Sequence, residues 1–131
     1  MIAFVLVSHS RAVAAGVREM ALQMTGGAVP VIACGGMSDG GLGTDACVIA
    51  DAIRSLAQNE GVLVLCDLGS AILSAEQALD FLEENEKSGV RIADAPFLEG
   101  AVLGAIQASA GSPLQEVFET AEGARDLRKL G

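Results

Sequence analysis

The sequence predicts an α/β fold: a three-layer, doubly wound, mostly parallel four-stranded sheet in the order 2-1-3-4, with helices on both faces. Three observations carry that prediction. Short apolar runs alternate with segments of helical apolar spacing from end to end. The runs are continuous rather than alternating, so their strands must be covered on both faces, as in parallel sheets. The second run contains Pro30, and a strand with an internal proline belongs at a sheet edge. Right-handed crossovers with one reversal give 2-1-3-4, which puts the second strand there.

Ile2–Val7 reads as the first strand, and Val13, Val17, Met20 and Met24 then recur at helical spacing. Gly26-Gly27 ends that helix. Val29–Ala33 is the second strand, followed by a glycine-rich loop from Cys34 to Thr44. The next helix carries Ile49, Ile53 and Leu56 on one face. Val62–Cys66 is the third strand. The helix after it turns Ile72, Ala75, Leu79 and Leu82 inward and Glu76, Gln77, Asp80 and Glu83 outward. Val90–Ala93 is a short fourth strand, and Pro96 suits the first turn of a helix. Ser112-Pro113-Leu114-Gln115 has the form of a capping box with proline at the first helical position. It opens a last helix, which ends near the basic Arg125–Lys129 segment.

The 131 residues form one predicted domain, 1–131, large enough to bury a core without staples. Hydrophobic residues make up 51% but aromatics only 3%, with no Trp or Tyr, which predicts a core of Val, Ile, Leu, Ala and Met. The scarcity of aromatics argues against base-stacking nucleic-acid platforms, and a net charge of -9 repels phosphate backbones. Cys34, Cys47 and Cys66 lack metal-ligand spacing and have a single histidine to help them, so they read as reduced core residues and no metal site is expected. The first apolar run is short, has no basic region before it and soon meets His9 and Arg11. No signal peptide or membrane span is expected, and the predicted location is cytoplasmic.

The sole imidazole, His9, stands in Val7-Ser8-His9-Ser10, where the first strand gives way to a helix. In a 2-1-3-4 sheet the ligand crevice opens beyond the carboxyl ends of strands one and three. His9 and Asp67 are the residues set there side by side. Asp67 is expected to accept a hydrogen bond from His9 Nδ1–H, fixing the tautomer and leaving Nε2 free as a nucleophile. The bland alternative, an Asp that caps its helix and a satisfied surface His, suits each residue singly but not their coincidence. Ser10, Thr44 and Ser70 are candidate first residues of helices whose N-termini converge on this rim and favour an anion such as phosphate. Ser8, Gly35, Gly36, Gly43 and Gly69 complete the candidate phosphate- or partner-binding set, the loop glycines letting backbone approach closely. There is no G-x-x-x-x-G-K-[ST] and no G-x-G-x-x-G after the first strand. The chemistry points to a histidine that carries a group without a nucleotide site of its own.

Val7-Ser8-His9-Ser10, Gly43-Thr44-Asp45, Asp67-Leu68-Gly69-Ser70-Ala71 with Leu73-Ser74-Ala75-Glu76, and Ala95-Pro96-Phe97-Leu98-Glu99-Gly100-Ala101 together resemble the DhaM family. These are the phosphotransferase subunits of phosphoenolpyruvate-dependent dihydroxyacetone kinases. More distantly the chain is similar to the IIA domains of mannose-type sugar phosphotransferase systems. The resemblance implies that His9 accepts a phosphoryl group from phospho-HPr and passes it to ADP held in the DhaL subunit, while DhaK binds dihydroxyacetone. It places His9 on the phosphorylated histidine and Asp67 on the carboxylate after the third strand. It also implies a homodimer, and no cofactor beyond the phosphoryl group on His9. Some relatives carry HPr-like and enzyme I-like domains downstream; this chain stops at Gly131, so its donor is expected to be a separate protein.

Two other functions compete with a dihydroxyacetone-kinase phosphocarrier. One is a mannose-type IIA component feeding a sugar-transport subunit. The other is a non-catalytic flavodoxin-like module that binds a small anion at the glycine loop, disfavoured by the missing aromatics.

Overall fold

The computed structural model describes residues 1–131. Four parallel strands, β1 (Ile2–Ser8), β2 (Val31–Gly35), β3 (Gly61–Cys66) and β4 (Val90–Ile92), form one sheet in the order 2-1-3-4. Six helices accompany it: α1 (Arg11–Met24), α2 (Ala46–Ser55), α3 (Gly69–Asp80), α4 (Glu84–Lys87), α5 (Phe97–Ser109) and α6 (Leu114–Gly123). A 3-10 turn over Ala124–Asp126 follows. No helix is long and apolar enough to cross a membrane.

Strand alternation divides the core into two layers. Ala3, Val5 and Val7 of β1 face α2 and α3, where Ile49, Ile53, Leu56, Ala71, Ala75 and Leu82 meet them. Ile2, Phe4 and Leu6 face α1, α5 and α6, against Val17, Ala21, Ala101, Ala105 and Val117. Burying each large aliphatic side chain contributes about 1.5–3 kcal/mol, which selects this register over a one-residue slip. Helices α3 and α5 meet the sheet mainly through alanine, with glycine added on α5, so they lie close. A Cβ on Gly104 would come 3.1 Å from the Phe4 ring, so the glycine makes room for the one fully buried aromatic.

Several sequence expectations change. The core holds Phe4 but no methionine: Met1, Met20 and Met24 are exposed and Met37 lies in the loop. Cys47, expected in the core, is exposed on α2, whereas Cys34 and Cys66 are buried. On α1 the buried stripe is Ala14, Val17 and Ala21, while Val13, Met20 and Met24 face outward. β2 starts at Val31, so Pro30 precedes the strand rather than interrupting it, and its carbonyl accepts from Phe4 N–H at 2.9 Å. The Ser112 capping box does not form. Pro113 is extended (ψ 165) and itself occupies the N-cap, and Ser112 accepts from the Gln107 amide instead. The α3 face follows the prediction: Ala75 and Leu82 are buried, and Glu76, Gln77, Asp80 and Glu83 are exposed. Gly26-Gly27 does end α1, with Gly27 N–H reaching back to Leu22 C=O at 2.9 Å. Helix α4, which the sequence reading left out, is a single turn closed by a capping box between Glu83 and Glu86.

Candidate active site

β1 and β3 end side by side: Val7 pairs with Cys66, and Asp67 N–H still donates to Val7 C=O at 3.0 Å. His9 and Asp67 are therefore the side chains that leave the sheet at neighbouring points on one rim. Asp67 Oδ1 lies 3.0 Å from His9 Nδ1. Four donors hold the carboxylate. Oδ1 takes the His9 ring and Leu68 N–H (2.7 Å), and Oδ2 takes the Ser8 hydroxyl (2.8 Å) and His9 N–H (3.0 Å). Burial pushes the Asp67 pKa up, but the His9 N–H, the Ser8 hydroxyl, the His9 ring and the Leu68 N–H together outweigh it and hold the carboxyl below its usual value. An ionised carboxylate only accepts, so Nδ1 carries a proton, and in the neutral ring Nε2 has an open lone pair.

That lone pair is not idle. Ser70 donates its hydroxyl to Nε2 at 2.6 Å, which corrects the expectation of a free Nε2. The side chains of His9 and Asp67 are 25% and 18% exposed, enough for Nε2 to meet a partner while the Asp67 face stays sheltered. α3 begins beside the ring at Gly69, with Leu68 at its N-cap and no side-chain cap. The N–H groups of Gly69 and Ser70 have no acceptor in the chain, and the positive end of the helix points the same way.

The other predicted residues divide by what they touch. Ser10 is the N-cap of α1, its hydroxyl accepting from Val13 N–H at 3.2 Å. Thr44 does not start α2; Asp45 caps that helix, and Thr44 shares a 2.5 Å hydrogen bond with Ser74 that ties the glycine loop to α3. Gly43 has φ +145 and donates its N–H to the His9 carbonyl at 2.8 Å, and Gly36 has φ +75 beside Arg11 N. Gly35 lets α1 cross the end of β2: a Cβ there would sit 2.7 Å from the Ser10 carbonyl oxygen. Ser8 is fully buried and its hydroxyl bonds Asp67 and Ser10 N–H, which leaves no group for a phosphate. Sequence reasoning gave no role to Ser74, although its spacing from Ser70 puts both hydroxyls on one face of α3. It also passed over Leu42, Leu68 and Leu73, three largely exposed leucines on the segments that bear the site.

A cleft of about 430 Å³ lies next to the loop, lined by Arg11, Met37, Ser38, Thr44, Asp45 and Val48, and His9 is not among its walls. Burial raises the Cys34 thiol to about 11; burial and then the Asp67 charge raise Cys66 to about 12. Both remain thiols at neutral pH and are excluded as nucleophiles. No cluster of three His, Cys, Asp or Glu side chains is arranged to hold a metal.

A parallel 2-1-3-4 sheet with an Asp-oriented imidazole at the strand-order reversal defines a small doubly wound α/β domain with a histidine-centred site. Residues 3–121 match the EIIA-man family, described as the PTS system fructose IIA component, and the chain belongs to that family. It is 47% identical over 107 residues to the phosphoryl donor subunit DhaM of PEP-dependent dihydroxyacetone kinase 2 from Listeria innocua, covering 82% of this chain and 86% of that one. It is 38% identical to the DhaM phosphoryl donor subunit from Providencia stuartii, over 98% of this chain but only 28% of that longer protein. Its structure is similar to a crystal structure of a protein of unknown function (TM-score 0.84, 37% identity, 93% of each chain). It shares its fold with a phosphotransferase system component EIIA from Streptococcus agalactiae (TM-score 0.71, 14% identity, 98% of this chain and 97% of that one).

Proposed function

We propose that this chain is a phosphocarrier of DhaM type, which accepts a phosphoryl group from phospho-HPr on His9 and transfers it to ADP bound in the DhaL subunit for phosphorylation of dihydroxyacetone. The observation that carries this reading is the 3.0 Å contact between His9 Nδ1 and Asp67 Oδ1, with Nε2 directed at the uncapped start of α3.

The chemistry follows from that geometry. The Nε2 lone pair attacks phosphorus as the donor's nitrogen–phosphorus bond breaks, and the Nδ1 proton stays in place. The ring gains positive character, which the adjacent carboxylate offsets. As Nε2 approaches phosphorus the Ser70 hydroxyl turns from the nitrogen to a phosphoryl oxygen, and the Gly69 and Ser70 N–H groups supply further donors. In the second step a β-phosphate oxygen of ADP attacks, the Nε2–phosphorus bond breaks and the ring is regenerated. Positioning and electrostatics suffice for such a transfer.

Transfer between proteins needs a surface that partners can cover. Leu42, Leu68 and Leu73 are 79%, 62% and 68% exposed on the glycine loop and the start of α3, which supports docking there. The outward Val13, Met20 and Met24 of α1 support the homodimer that the family resemblance implies, and sedimentation equilibrium tests it. Incubation with phosphoenolpyruvate, enzyme I and HPr tests the function. Acid-labile phosphate should appear, should be absent from His9→Ala and should pass to DhaL-bound ADP. Phosphate retained by His9→Ala, or passed only to a sugar-transport subunit, contradicts the reading.

A further inference from the structure

Ser8 is the one polar side chain among the buried residues, at 0% exposure in the last position of β1. Its hydroxyl has two partners and both lie off the strand. A carboxylate only accepts, so the proton must go to Asp67 Oδ2 at 2.8 Å. The oxygen in turn accepts from Ser10 N–H at 3.0 Å, in the turn that opens α1. One buried oxygen thus joins the first strand, the cap of α1 and the carboxylate of the neighbouring strand.

We propose that Ser8 is a positioning residue: its buried hydroxyl ties the Asp67 carboxylate to the start of α1 and so holds it in the plane that selects the Nδ1–H form of His9. The terminal torsion of an aspartate is broad, and only its hydrogen-bond partners fix it. Here each oxygen has two donors, and Ser8 is the only side-chain hydroxyl among them. Without it Oδ2 keeps only His9 N–H, and Ser10 N–H loses its acceptor. The carboxylate can then turn, and the imidazole proton is free to move to Nε2, which takes away the nucleophile.

The kinetic half of the test rests on the phosphocarrier reading, and the spectroscopic half does not. Ser8→Ala removes one oxygen and adds no bulk, and Ser8→Thr keeps the hydroxyl. In the unphosphorylated full chain, 15N NMR of the His9 ring should show the Nδ1–H form in the parent and in Ser8→Thr, and a mixture with Nε2–H in Ser8→Ala. The rate of phosphorylation by phospho-HPr should fall about 10-fold in Ser8→Ala, the order expected for one hydrogen bond to a charged group, and recover in Ser8→Thr. Its acid limb should also move to higher pH, because Asp67 has lost a stabilising donor. An unchanged tautomer in Ser8→Ala overturns the proposal, as does an equal rate loss in Ala and Thr variants. If the parent chain takes no phosphate, the phosphocarrier reading fails while the tautomer measurement still decides the role of Ser8.

Discussion

Asp67 Oδ1 and His9 Nδ1 stand 3.0 Å apart although 58 positions separate them in the chain. The contact exists because β1 and β3 are neighbours that end at the same level, so the first residue to leave each strand meets the other. Removing the acceptor charge should expose what the pair does. Asp67→Asn keeps the shape but puts an amide where the ring proton was received. Phosphorylation of His9 should slow by about 10- to 100-fold, the worth of a hydrogen bond to a charged group. Rapid-quench rates check it, and an unchanged rate removes Asp67 from the site.

The same carboxylate makes stability depend on pH. Its folded pKa lies below the ordinary 3.8. The stabilisation is therefore fully present above the unfolded value and is lost as pH falls through the folded one. Urea midpoints measured from about pH 5 to about pH 2 should fall more steeply for the parent chain than for Asp67→Asn. Parallel curves would contradict the assigned hydrogen bonds.

The close crossing of α1 over β2 should tolerate no added methyl. In Gly35→Ala the new Cβ would lie 2.7 Å from the Ser10 carbonyl oxygen and 3.0 Å from Ala14 Cβ, and the backbone atom cannot step aside. The expected cost is about 1–3 kcal/mol, read as a lower Tm by calorimetry. Because Ser10 N–H also bonds Ser8, the His9 ring signals should shift too. An unchanged Tm means the crossing is looser than described.

Leu68 follows Asp67 and is 62% exposed, and Leu73 is 68% exposed one turn into α3. Replacing either with Gln should leave Tm nearly unchanged, since neither is buried and Gln adds neither a favoured cap nor a charge, and should weaken the encounter with a phosphoryl-bearing partner. Steady-state kinetics should show KM for phospho-HPr rising with little change in kcat. Unchanged kinetics would move docking away from this rim.

Strand order and the His9–Asp67 pair were legible because they depend on coarse signals. Continuous apolar runs mark buried parallel strands, right-handed crossovers order them, and topology brings the two strand ends together; β2 does lie at the edge, although Pro30 precedes it rather than interrupting it. The face of α1 was not legible. Val13, Met20 and Met24 recur like core positions, yet the helix lies so near the sheet that only Ala14, Val17 and Ala21 fit beneath it. Ser112 matched a capping motif, but Pro113 has an extended ψ and starts α6 one residue later than the motif requires. Ser8 looked like a phosphate ligand because it adjoins His9. Strand alternation turns it inward, and its reach to Asp67 appears only in three dimensions.

The atom that takes the phosphorus tests the central claim most directly. With Nδ1–H held by Asp67, only Nε2 has a lone pair to offer. Phosphorylating the 15N-histidine-labelled chain with phosphoenolpyruvate, enzyme I and HPr, and then recording 31P–15N couplings, identifies that atom. The account predicts phosphorus on His9 Nε2 with the proton retained on Nδ1. Phosphorus on Nδ1, or on a residue other than His9, would contradict it.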